Sequence, residues 1–185
     1  TYTLSITNAP LTDLVAEVAI THGTTDGGDL TAGTIQITIP AGSTSVNFDL
    51  SNLNDNVSEP GESYTVALTG GVGGNTDFEN LVVDTAPVTT TIIDNDGLPQ
   101  LSINDVSVDE SAGQLVFTVS LSNPSAGPVS FDFTSSAASA TENVDYTGVT
   151  GNATIAAGAL TTTITVPITD DFVLENSENF TVTLT

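Results

Sequence analysis

Apolar and polar residues alternate with a period of two in Tyr2-Thr3-Leu4-Ser5-Ile6, residues 34–39 (TIQITI), 45–50 (SVNFDL) and 63–68 (SYTVAL). The same rhythm returns in residues 117–121 (FTVSL), Thr154-Ile155, 162–166 (TTITV) and 180–184 (FTVTL). A period of two sends successive side chains to opposite faces of an extended chain, so each run predicts a strand with one buried and one wet face. Thr and Val dominate the runs, and both are β-branched; Gly, Asn, Asp and Pro interrupt them at short intervals. No stretch sustains a helical apolar period beyond about two turns. The expected fold is all-β.

The strand pattern is written twice. Asp29, Asp55, Glu59 and Glu62 recur as Asp145, Asp171, Glu175 and Glu178, each 116 positions on, with no gap between Asp29 and Leu68. A chain of 185 residues with this repeat predicts two tandem immunoglobulin-like antiparallel β-sandwiches, residues 1–97 and 98–185, of about seven strands each. The boundary falls at Asp94-Asn95-Asp96-Gly97-Leu98-Pro99, and strand signals resume at Leu101-Ser102-Ile103, so the linker is short. Tyr2 aligns with Phe117 at an offset of 115, which starts the first unit at the second strand of the other. The first unit is therefore expected to lack its opening strand and the second its closing one. Two origins fit that expectation: a window cut from a longer tandem array, or strand exchange between copies in a fibre.

Composition turns the repeated acids into chemistry. The chain has 23 Asp and Glu, no Lys or Arg, and a net charge of −23. Without basic groups it has no means of neutralising phosphates, which argues against nucleic acid and anionic lipid as partners. Hydrophobic content of 38% separates it from acidic disordered tails, so a folded core is expected. Cys is absent, excluding disulfides and thiolate metal sites, and no apolar run reaches the length of a signal peptide or membrane span. Residues 168–180 place Asp170, Asp171, Glu175 and Glu178 within nine positions. Their mutual repulsion has no internal cation to relieve it, which implies one from solution. Clustered carboxylates and nearby carbonyls suit calcium; magnesium demands stricter geometry, and zinc or copper would want His or Cys. Asp13, Glu17, Asp77, Glu79 and Asp132 do not share the 116-residue correspondence and read as plain surface charge.

Glu110 within Val108-Asp109-Glu110-Ser111-Ala112-Gly113, Asp145-Tyr146 followed by Gly158, the acidic run at 170–178 and the closing Asp94-Asn95-Asp96 together resemble the Calx-beta domain. That family is a calcium-binding β-sandwich of sodium/calcium exchangers, integrin β4 and the tandem arrays of large bacterial surface adhesins of the RTX type. The resemblance covers nearly the whole chain as two incomplete copies. It implies calcium at one tip of each sandwich. In the second unit the implied ligands are Glu110, Asp145, Asp170, Asp171, Glu175 and Glu178 with the backbone oxygen of Val173. In the first they are Asp29, Asp55, Glu59, Glu62, Asp94 and Asp96 with the backbone oxygen of Val57. Two departures stand out in the first unit, where Asn54 replaces the first Asp of the pair and Leu30 replaces Tyr146.

Other motifs carry little. Asp94-Asn95-Asp96-Gly97 begins like an EF-hand loop but lacks the later ligands and flanking helices. Gly70-Gly71-Val72-Gly73-Gly74 reads as a flexible hairpin loop, and His22 as a solvated loop histidine with no triad around it. Trp is absent, and the three Tyr and seven Phe suit core packing better than a sugar-binding cleft. No enzyme is expected. The expected role is a calcium-stiffened spacer of a secreted or cell-surface adhesin or filament, with neighbouring repeats as partners and without membrane insertion. An adhesive or carbohydrate-binding module, or a calcium sensor, are the alternatives.

Overall fold

The computed structural model describes residues 1–73, 78, 81–173 and 176–185. They divide into two compact units, one made of residues 1–55 and 60–94, the other of residues 56–59 and 95–185. Both are built from antiparallel strands, and among the described residues no helix is long and apolar enough to cross a membrane.

The first unit holds β1 (Tyr2–Ser5), β2 (Leu14–His22), β3 (Gly33–Ile39), β4 (Ser45–Phe48), β5 (Glu62–Gly73) and β6 (Val88–Ile92). β1 pairs with β4, and a second sheet runs β3-β2-β5-β6. Along β2, Leu14, Ala16, Val18 and Ile20 are buried while the residues between them are not, the expected result of period-two patterning on a half-buried sheet. Val18, Ile20, Leu30, Tyr64 and Val66 form the inner cluster, with Tyr2, Phe48 and Leu50 packed against it. Six strands are found among the described residues of this unit, against about seven expected.

The second unit holds β7 (Leu101–Ile103), β8 (Gln114–Leu121), β9 (Val129–Ala137), β10 (Thr150–Ile155), β11 (Thr161–Pro167) and β12 (Phe180–Leu184), with a 3-10 turn at Glu110–Ala112. Its sheets run β11-β8-β7 and β10-β9-β12. Val119, Ile155 and Val166 are fully buried between them, and Tyr146 is 1% exposed. Each such apolar side chain contributes roughly 1.5–3 kcal/mol by leaving water.

The two units repeat in detail. Gly42 and Gly158, 116 positions apart, have φ of 77° and 72°, a region that Gly enters without steric penalty. Their amides donate to the carbonyls of Pro10 and Ser125 respectively, closing equivalent corners. At the aromatic positions Tyr2 and Tyr64 of the first unit correspond to Phe117 and Phe180 of the second, while Leu30 corresponds to Tyr146. The hydroxyl groups are thus redistributed around a conserved apolar arrangement.

Four sequence expectations need correction. Gly70–Gly73 belongs to β5, where Val72 and Gly73 pair with Ala16 and Val15 after a bulge, so most of that Gly-rich run is strand; Gly74 lies outside the described residues. His22 ends β2, partly buried, and its Nδ1 lies 3.0 Å from Thr25 Oγ1. Because the Thr25 hydroxyl donates to the Ser63 carbonyl, His22 is the donor in this pair. Asp13 Oδ1 accepts from the Ala41 amide at 2.9 Å and so holds the β3–β4 turn. Glu17 and Asp132 do correspond, at an offset of 115, and each faces an amide side chain across the ladder, Gln36 and Asn152. Asp77 and Glu79 lie outside the described residues.

Candidate metal centre

In the first unit the turn after β2 delivers Asp29. The Gly23, Thr24 and Thr25 amides all converge on the Ser63 carbonyl, pinning this turn to the start of β5. Asp29 Oδ2 accepts from the Asp26 amide at 2.7 Å, and its carbonyl accepts from Leu53, which fixes the side chain on the inner side of the turn. Glu62 is the first residue of β5, and its Oε2 is shielded from solvent. Asp29, Glu59 and Glu62 each offer a carboxylate oxygen, and these three atoms lie within 4.8 Å of one another. All three residues are partly buried. Oxygens around one calcium at about 2.3–2.6 Å are separated by distances of this size, so the donor set fits a hard divalent cation. Asp94, Asp96 and Val57 are partly buried and Asp55 is exposed; none of the four is in the three-carboxylate group.

In the second unit a recess of about 440 Å³ opens among the loops. Glu110, Asp145, Val173 and Glu178 line it together with Asp109. Glu110 is delivered by the 3-10 turn, which stops at Gly113, φ 70°, whose amide donates back to the Glu110 carbonyl. Asp145 Oδ2 accepts from the Thr141 amide at 2.6 Å, and its carbonyl accepts from Thr169. Asp170 and Asp171 are exposed and lie outside this lining; Asp171 Oδ1 accepts from the Val173 amide, turning the chain after β11. Glu175 lies outside the described residues. A larger cavity, about 610 Å³ in the first unit, is lined by apolar residues such as Leu4, Ile6 and Leu14, with Asp84 the one acid among the described lining residues. The carboxylate chemistry is elsewhere.

Tyr146 forms a wall of the second recess, buried to 1% exposure. Burial pushes its pKa up, and the nearby Glu142 carboxylate adds in the same direction. Ser135 offsets part of this, although among the described residues no hydrogen bond of good geometry reaches the hydroxyl. Tyr146 therefore stays neutral at physiological pH.

Residues 93–185 match the model of the Calx-beta domain, and residues 1–95 match the model of the LapA domain. The chain belongs to the Calx-beta family through its second half and to the LapA domain family through its first. The Calx-beta expectation thus holds for the second unit, while the first is matched by a different family. Among solved structures, the chain resembles CBD12 from CALX1.2 at 21% identity and a TM-score of 0.45, over 99% of this chain and 71% of that one. It also resembles the calcium binding domain CBD12 of CALX1.1, at 21% identity and a TM-score of 0.42 over the same shares. No curated protein matches.

Within the Calx-beta unit, sequence reasoning passed over two residues. Asp109 lines the recess beside Glu110, and Glu142 acts on Tyr146. The signal for Glu142 was present, because Asp26 precedes it by the same 116 positions and its amide holds Asp29. Asp109 has no counterpart within the chain, so the repeat could not reveal it.

Proposed function

We propose that this chain is a calcium-binding structural module, a spacer in the repeat region of a large secreted or cell-surface adhesin. The observation that carries the reading is the convergence of Asp29, Glu59 and Glu62 within 4.8 Å in a chain that has no Lys or Arg to neutralise them. Membership of the Calx-beta family, whose domains bind calcium, supports the choice of ion. The LapA match, to an adhesin-related domain, supports the surface location. Asp29, Asp55, Glu59, Glu62, Asp94 and Asp96, with the Val57 carbonyl, are the proposed ligands of the first sequence repeat. Glu110, Asp145, Asp170, Asp171, Glu175 and Glu178, with the Val173 carbonyl, are those of the second.

Calcium, when bound, supplies positive charge that relieves repulsion among the carboxylates at the loop end of each unit. The chain's own part is to hold oxygens close before the ion arrives, through the Asp26–Asp29 and Thr141–Asp145 turns. An ion that binds only the folded state stabilises it by about 2.7 kcal/mol at a hundredfold excess over Kd. Extracellular modules commonly bind in the range of about 10⁻⁴ to 10⁻³ M, so external calcium would keep the sites loaded. Calcium titration by calorimetry tests this: binding is expected, and a chain that takes up no calcium at millimolar concentration would refute it.

A further inference from the structure

The acidic recess of the second unit is assembled from four separate segments, and the elements that bear them meet around one residue, through its backbone, its bridge partner Ile168 and its ring. Tyr146 follows Asp145 directly and forms an antiparallel bridge with Ile168, just before Asp170 and Asp171. Its carbonyl accepts from Asn143, whose φ of 65° folds the preceding loop back on itself. The Ile168 amide donates to the carbonyl of Gly113, the residue that ends the turn carrying Glu110. On the remaining side the Tyr146 ring stacks on Phe180 with centroids 4.2 Å apart and planes 9° apart, two residues from Glu178. Phe180 in turn meets Phe117 edge to face at 6.2 Å. The acids are exposed or partly buried, whereas the ring beneath them is 1% exposed and inside the packed core. Rigid packing under an exposed cluster fixes where its members start, and thus how much order an ion must impose on binding.

The first unit supplies an internal comparison. Leu30 stands at the Tyr146 position, also buried, and Tyr64 stands at the Phe180 position with its hydroxyl engaged by Tyr2. A leucine cannot stack, so the turn bearing Asp29 rests on an aliphatic contact instead.

We propose that Tyr146 is a positioning residue for the metal site of the second unit, acting through its ring, which aligns the loops bearing Asp145, Glu110, Asp170 and Glu178. The inference rests on the calcium reading above and adds that the two units hold their sites by different means. The ring, rather than the hydroxyl, does the aligning, because among the described residues the hydroxyl meets no hydrogen-bond partner in good geometry.

The test uses the 185-residue chain carrying Asp29→Asn and Glu62→Gln, so that calorimetric calcium binding reports on the second unit. Tyr146→Phe should bind within about twofold of its parent, whereas Tyr146→Leu should bind about tenfold or more weakly, the usual cost of losing an outer-shell support. Phe180→Leu, which keeps Tyr146 but removes its stacking partner, should weaken binding likewise, and far-UV circular dichroism in chelator establishes that each variant is folded. If Tyr146→Leu does not fold, the Phe180→Leu titration decides. Parental affinity in the leucine variants would overturn the proposal, as would a phenylalanine variant as weak as the leucine one, which would move the role to the hydroxyl. Failure of the unmutated chain to bind calcium would instead overturn the calcium reading itself.

Discussion

The Tyr2 hydroxyl donates to the Tyr64 hydroxyl at 2.9 Å and also contacts Thr90 Oγ1, joining β1 of one sheet to β5 and β6 of the other. Tyr64 is 3% exposed, and burial pushes its pKa up to about 12, with the Tyr2 hydrogen bond adding to the rise. A phenol whose folded pKa lies above its unfolded value stabilises the fold fully below about pH 10. That stability is lost as pH rises from about 10 to about 12. Tyr64→Phe should lower stability at neutral pH by about 0.5–1.5 kcal/mol, the value of one internal hydrogen bond. It should also remove this unit's contribution to alkaline unfolding between those pH values, measured by denaturant titration across the range.

Gly42 and Gly158 occupy left-handed conformations at equivalent corners. Gly158→Ala is expected to cost about 1 kcal/mol through strain alone, since an added Cβ at either position meets no atom within 4 Å. Gly42→Ala should cost a similar amount in the first unit. Chemical denaturation of the two variants checks the pair, and unchanged midpoints would contradict the positive-φ account.

Ile155 is fully buried at the end of β10. Ile155→Ala should destabilise the second unit by about 2–5 kcal/mol, combining lost burial with an unfilled cavity. The expected signature is a second-unit transition that moves to lower denaturant while the first-unit transition stays in place.

Asp171 turns the chain after β11 through its bond to the Val173 amide and carries one of the repeated negative charges. Asp171→Asn keeps an oxygen for that bond but removes the charge. It should blunt the calcium-induced rise in melting temperature while leaving the sandwich folded at saturating calcium. Glu62→Gln should do the same in the first unit, where the Glu62 carboxylate lies close to that of Asp29.

Much of this architecture can be read from the chain because period-two alternation and β-branched residues leave few other solutions. The runs at residues 34–39, 162–166 and 180–184 are strands in the structure, as their alternation predicts, and the run at 45–50 is strand as far as Phe48. β2 and β9 were not among the runs singled out, although β2 buries every second residue; Glu17 and Asp132 interrupt their polar faces with charge. Gly70–Gly73 misled for the opposite reason, since Gly signals turns by its backbone freedom yet also tolerates a bulged strand. At the site, the repeat pointed to Asp29, Glu59 and Glu62, and the fold brings their oxygens together. Its reach ended where the two units differ. The exchange of Leu30 for Tyr146 is visible in the sequence, but the 4.2 Å stack on Phe180 arises only when β12 closes over the β9–β10 loop.

Thermal unfolding of the chain in calcium, in magnesium and in chelator measures the central claim directly. Calcium should raise the melting temperature well above the chelator value, magnesium should raise it only slightly, and the chain without either should be markedly looser. Superimposable melting curves in all three conditions would contradict the account, because the repeated carboxylates would then fold without any dependence on a bound ion.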